Sequence, residues 1–447
     1  MARAQTDLTQ GSVTRQLVKY SIPIVASSLL QAVYGVADML VISHYVGETG
    51  ASATNVADQV MRLITNIVIG LSSGGGVLVG QYFGGRDKAA FERTVGTFVS
   101  VFSALGLLST LVMLTAARPL LTLMNAPALD DTYTYLVICA TGLFFVFGYN
   151  TLSSVLRAVG NSRVPLMCII VASLVDVALD IIFVGPLGMG VAGAAWSTVI
   201  GQVLSFLAAL VYMLRRREIF SFSLAAFKPD FSIIRRIFKI GFPSAIQMTV
   251  ASISWLTVTF LINEYGVVYS AASGISAKIR DFSHIIISAM SVGTSAMIAQ
   301  TLGAQMYDRA RRVMYTAMKL TMLCAAALVV IVELTAPFLA KLFIENPTVI
   351  EIASLNLRIE ILAEIFYASF LIYHSLMLAA GHTYMLLISS FVNCIVFRLI
   401  LALWFNSAWG IVGVFAACAL APASSIPIGY FYTRSGIWRR TLAEKGE

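Results

Sequence analysis

Residues 164–187 read VPLMCIIVASLVDVALDIIFVGPL. This stretch of 24 residues has no Lys or Arg, and its only charged residues are Asp176 and Asp180. A helix needs roughly 20 apolar residues to cross a bilayer, so the segment reads as a membrane span with two carboxylates inside it. The rest of the chain has the same texture. Apolar residues make up 58% of the 447 and charged residues 12%, against roughly 45–50% and 25% in soluble domains. Mean hydropathy is +0.85. Cutting at charged residues, Pro and Gly gives twelve spans, near 18–46, 55–83, 93–116, 132–157, 164–187, 190–214, 239–263, 270–303, 313–335, 349–380, 384–406 and 409–433. The expected fold class is therefore an all-α polytopic membrane protein with twelve transmembrane helices, its partner the lipid bilayer. A soluble enzyme, a nucleic-acid binder and a disordered chain are excluded. The net charge of +8 thus has another origin than nucleic acid.

That origin is the distribution of the cations. With twelve spans, 23 of the 30 Lys and Arg fall on one side, including Arg86, Arg215, Arg216, Arg309 and Arg440, and only Arg118 and Lys341 on the other. Such a bias marks the cytoplasmic face, so both termini are expected there. Residues 1–15 are polar and have no apolar signal core, which argues against a cleaved leader. The five cysteines stand singly in apolar stretches, as small packing residues do.

The two halves resemble each other. Lys19-Tyr20-Ser21-Ile22-Pro23 returns as Lys239-Ile240-Gly241-Phe242-Pro243, and Gln81-Tyr82-Phe83-Gly84 as Gln300-Thr301-Leu302-Gly303. Gly160 matches Gly381, and Gly190-Val191-Ala192-Gly193 matches Gly410-Ile411-Val412-Gly413. The offsets stay between 219 and 221. Six spans per half is an even number, so both halves enter the membrane from the same side. The expected organisation is a six-helix bundle over 1–214, an amphipathic basic cytoplasmic linker over 215–238 and a second six-helix bundle over 239–447. Repeats of this kind are used by alternating-access transporters.

Taken together, Ala37-Asp38, Gln81-Tyr82-Phe83-Gly84, Leu156-Arg157-Ala158-Val159-Gly160, Asp176 to Asp180 and Gly190-Val191-Ala192-Gly193-Ala194-Ala195 make the chain similar to multidrug and toxic compound extrusion (MATE) transporters of prokaryotes, over essentially its whole length. The resemblance implies a secondary antiporter, not an enzyme. It would export small amphipathic, often cationic compounds against inward H⁺ or Na⁺, without a cofactor, as a monomer in a bacterial or archaeal plasma membrane.

Ionisable groups inside a bilayer are expensive and are functional candidates by default. Asp38 shares a helix face with Gln31 and Tyr34, seven and four residues before it, and Asp176 with Asp180; Thr198 and Gln202 have the same four-residue spacing. Spans one, five and six would then meet in one polar cluster. A carboxylate that holds either a proton or an organic cation, never both, exchanges them by competition. By resemblance, Asp38, Asp180 and Thr198 match the family's cation-coupling site, and Asp176 stands where relatives often carry Asn. The same oxygens suit Na⁺, and Asp38 and Asp180 would be metal ligands only in that case. By the same resemblance, Pro23 matches a position at which span one bends; the alternative is that Pro23 opens a helix early in the span.

Span seven has no carboxylate where the NorM-like branch carries one, a pattern that resembles the DinF-like branch. The second half places its acids in span ten, Glu360 and Glu364, with Arg358 and Arg398 as candidate partners or a substrate cation in their place. Lys278, Arg280 and Asp281, and Asp58 with Arg62, read as ion pairs at the external ends of spans. Tyr34, Met39, Met248, Trp255 and Met290 are candidate substrate contacts, together with Gln31, Gln202, Glu360 and Glu364, because thioethers and aromatic rings accept varied apolar shapes. A lipid or lipid-linked precursor flippase of the same superfamily is the alternative, though such proteins usually have more spans and a more basic cavity.

Overall fold

The computed structural model describes residues 7–124, 126, 128–216, 219–220 and 227–440, and every regular element among them is helical. Twelve elements follow in order: α1 Val13–Tyr45, α2 Glu48–Gly84, α3 Lys88–Leu123, α4 Leu129–Thr141 with Leu143–Ala158, α5 Arg163–Val184, α6 Gly190–Arg215, α7 Phe231–Asn263, α8 Val267–Gly303, α9 Tyr307–Lys341, α10 Pro347–Ala379, α11 Thr383–Trp409 and α12 Ile411–Ser435. Eleven are singly long and apolar enough to cross a membrane. The twelfth, α4, bends by 46° where its two pieces meet at Gly142. The expected twelve-span, all-α architecture is what forms. Of the expected linker, residues 217–218 and 221–226 lie outside the described residues, as do Arg3 and Lys445 of the cationic face. The stretch from Phe231 is already α7.

Backbone geometry repeats with the sequence. Positive φ occurs at Gly47 and Gly266, at Arg86 and Gln305, at Gly160 and Gly381, and at Gly190 and Gly410. Each pair is separated by 219 to 221 residues. These positions sit in the turns where the chain leaves one helix and enters the next. Glycine supplies positive φ without a Cβ clash. The recurring glycines of the sequence are thus the turn-formers of a recurring six-helix unit.

The chain divides into two compact units, and each contains one foreign segment. The first unit holds Ala26–Gly241, so it includes the opening turns of α7. The second holds Leu8–Val25, the opening half of α1, with the chain from Phe242 onward. The first unit's core joins Ile42 of α1, Ala57 and Val60 of α2, Met113 of α3, Leu136 of α4, Val184 of α5 and Ala194 of α6. In the second, Leu17 and Tyr20 of α1 pack with Met297 and Leu302 of α8, Met314 of α9 and Leu376 of α10. Small residues set these approaches. In the first unit a Cβ on Gly241 would run into the Leu71 backbone, and one on Gly74 into the Ile237 carbonyl. Their counterparts in the second unit are Ser21 and Gly293, again in contact, with Tyr20 and Leu17 beside them. Pro23 and Pro243 both lie inside helices, within two residues of the points where α1 and α7 pass from one unit to the other.

Candidate functional site

In the first unit the acidic residues of α1 and α5 converge. Asp180 is fully buried and Asp176 nearly so, while Asp38 is partly buried. Asp38 lies close enough to Asp176 and Asp180 to feel their charge. The Ser197 hydroxyl of α6 donates to Asp180 Oδ1 and is also within reach of Asp176. One oxygen of each of the three aspartates, Asp38 Oδ1, Asp176 Oδ1 and Asp180 Oδ2, is buried without a partner.

Neutral groups complete the site. The Tyr135 hydroxyl of α4 donates to Asp58 Oδ1 of α2 at 3.2 Å. The Thr198 hydroxyl itself donates to the Ala194 carbonyl at 3.1 Å. Tyr34 of α1 is close enough to Asp176, Asp38 and Asp58 to feel their charge. Asp58 therefore belongs to the inner cluster, with Arg62 beside it, rather than to a pair at the external end. Sequence reasoning also missed Ser197 and Tyr135. Ser197 precedes Thr198 directly, and neighbouring helix positions point about 100° apart, so only the packed structure shows which hydroxyl reaches the acids. Among the described residues no group of three His, Cys, Asp or Glu side chains has the arrangement of a metal centre.

The second unit is built differently. Glu360 of α10 is taken by Arg280 of α8, and Glu364 by His284 Nδ1 at 2.9 Å. Arg358 instead meets Glu333 at 3.7 Å. Neither expected arginine partner is used, because α10 packs these glutamates against α8, eighty residues away in sequence, and Arg280 is drawn inside rather than held at an external end. Trp255 of α7 lies against two guanidiniums, those of Arg280 at 4.3 Å and Arg398 at 4.6 Å from its ring.

The remaining candidates scatter. Gln31 and Met39 are exposed on α1, and Gln202 and Met248 are partly buried on α6 and α7. Met290 is buried in the apolar core of the second unit.

The sequence profile of the MatE family matches this chain twice, over residues 23–182 and 243–404. The probable multidrug resistance protein YpnP of Bacillus subtilis is 27% identical over 437 residues, covering 97% of both chains. YoeA of the same organism, also described as a probable multidrug resistance protein, is 24% identical over 83% of this chain and 82% of its own. The multidrug export protein MepA of Staphylococcus saprophyticus is 25% identical over 78% of each. Among solved structures, a MATE protein in complex with MaL6 superposes with a TM-score of 0.92 at 21% identity, covering 99% of this chain and all of the other. An outward-facing multidrug resistance MATE transporter gives 0.91 at the same identity and the same coverage.

Proposed function

The chain belongs to the MatE family of multidrug efflux transporters, and on that premise we propose that it exports small amphipathic cations in exchange for protons taken up by the first unit. The family needs no cofactor, and its members are transporters rather than enzymes. The observation that carries the proton reading is the cluster of Asp38, Asp176 and Asp180, with Ser197 as its donor. Carboxylates confined together in a water-poor bundle cannot all stay ionised cheaply. A proton held among them is the least costly way to keep them together. An entering organic cation replaces that proton electrostatically, and the released proton completes the exchange. Thr198 and Tyr135 hold the site's shape, and Tyr34, Gln31, Gln202 and Met39 are proposed to receive the substrate beside it. Pro23 is proposed as the point at which α1 yields when the acids change charge.

The protein is proposed to act as a monomer in the plasma membrane with both termini cytoplasmic. Proton coupling is proposed over Na⁺ because Asp38, Asp176 and Asp180 converge as carboxylates in a buried bundle, where a proton relieves their mutual repulsion. The test is efflux of a fluorescent lipophilic cation from proteoliposomes under an imposed pH gradient, then under a Na⁺ gradient. Efflux should follow the pH gradient and be lost in Asp38→Asn and Asp180→Asn. Efflux that follows Na⁺ alone would make these acids metal ligands, and no cation efflux under either gradient would reject the exporter reading.

A further inference from the structure

The second unit buries a cation that has no anion. Arg398 of α11 is 4% exposed and forms no ion pair among the described residues. Its Nη1 reaches the Ser254 hydroxyl only at 3.4 Å, and its Nε has no acceptor. Arginine stays protonated in any protein environment, and an unpaired buried charge is among the most costly groups a fold can carry. The two nearby glutamates are already engaged, Glu360 by Arg280 and Glu364 by His284. The face of Trp255 offsets part of the cost but leaves the fork of N–H donors unfilled.

Three further observations point to a ligand. The turn that leads into Arg398, Val392–Phe397, is π-helical, a distortion that concentrates at functional sites. The corresponding helix of the first unit, α5, is α-helical throughout. Asn393, within that π turn, also has a buried oxygen without a partner. Arg398 lies between the positions that correspond to Asp176 and Asp180 at the repeat offset of 220 to 221. The same helix of the repeat therefore carries acid in one unit and base in the other. The cluster meets the unit's surface through Trp255, which is partly exposed, and His284, whose side chain is 33% exposed.

We propose that the second unit holds a binding site for an organic carboxylate, in which the Arg398 guanidinium takes the carboxylate and the Trp255 indole takes its aromatic or apolar body. A planar guanidinium matches a carboxylate with two parallel hydrogen bonds, and the partly exposed Trp255 indole lies directly beside it. The Arg280–Glu360 pair closes one side and keeps a second cation near the carboxylate without leaving it free to compete. This goes beyond the coupling reading and does not depend on it.

The test is equilibrium binding of 1-naphthoate and of uncharged 1-naphthamide to the purified full-length protein in nanodiscs, with empty nanodiscs as blank and no ion gradient. A failure of proton-coupled transport leaves this measurement untouched, and the reverse also holds. Wild type should bind naphthoate at least tenfold more tightly than naphthamide. Arg398→Gln should reduce naphthoate to the level of the amide, and Arg398→Lys, which keeps the charge and loses the fork, should fall between. Trp255→Leu should weaken both ligands together. Equal affinities for the two ligands on wild type would overturn the site, whatever the variants do. So would an Arg398→Gln protein that keeps full naphthoate affinity.

Discussion

Two adjacent hydroxyls separate the polar site into a working part and a scaffold. Ser197 donates to Asp180, whereas Thr198 is satisfied by its own helix through the Ala194 carbonyl. A hydrogen bond to a charged group contributes about 1.5–3 kcal/mol, equivalent to roughly a tenfold to hundredfold change in an equilibrium. Ser197→Ala is therefore expected to lower pH-driven efflux about tenfold or more, and Thr198→Ala by much less. Equal losses would mean that the hydroxyl facing Asp180 has no special role. In the second unit, Glu360→Gln leaves Arg280 buried without its carboxylate, and breaking one side of a buried pair costs about 3–5 kcal/mol. Thermal unfolding should show a strongly destabilised protein, recovered in the double variant Arg280→Met, Glu360→Met. A destabilised double variant would show that the pair itself, not the orphaned charge, is needed. The acids were legible from sequence because a charge in an apolar run is conspicuous. Their partners were not: Arg280 finds Glu360 across eighty residues, and Tyr135 finds Asp58 across seventy-seven.

At the scale of elements, the close crossings of α2 with α7 and of α8 with α1 set how far substitution is tolerated. Gly241→Ala would drive a Cβ into the Leu71 backbone, which cannot yield without moving α2. Gly293→Ala would meet chiefly the Ser21 hydroxyl, which can rotate away. Overpacking costs about 1–3 kcal/mol, so Gly241→Ala should lower the melting temperature clearly more than Gly293→Ala; the reverse order would refute this account of the contact. The start of α7 carries a second lever. The Asp230 carboxylate accepts from the Ser232 hydroxyl at 2.7 Å and the Ser232 amide at 2.8 Å, and these bonds hold its pKa below the ordinary carboxylate value. A lowered folded value means that the cap's contribution is complete above the unfolded value, about 3.9, and disappears as pH falls through the lower folded one. Melting temperatures of wild type and Asp230→Ala should differ at neutral pH and converge in acid. A difference that persists at the lowest pH would show that the charge is irrelevant. Span positions were readable from hydropathy to within several residues. The exchange of helix starts between units was not, because it depends on packing between segments well over a hundred residues apart.

For the whole molecule, the repeat constrains topology more tightly than the cation count does. Six helices return each half to the side on which it began, so equivalent turns in the two halves must face the same compartment. Gly47 and Gly266 open equivalent helices with the same positive φ, and Arg86 and Gln305 follow the ends of those helices with positive φ as well. The neighbours of the first pair, Glu48 and Val267, are exposed, and so are Lys88 and Met306 beside the second. The excess of Lys and Arg around Arg86 and Arg309 predicts that the second pair faces the cytoplasm. Single cysteines at these four positions, in a background without the five native ones, should therefore divide cleanly. An impermeant maleimide added to intact cells should label Glu48→Cys and Val267→Cys and leave Lys88→Cys and Met306→Cys unlabelled until the membrane is opened. Labelling of Glu48→Cys and Met306→Cys, with Val267→Cys and Lys88→Cys protected, would break the two-fold reading. The first and second halves would then enter the bilayer from opposite sides, and the acidic and basic helices that the repeat equates would no longer be equivalent.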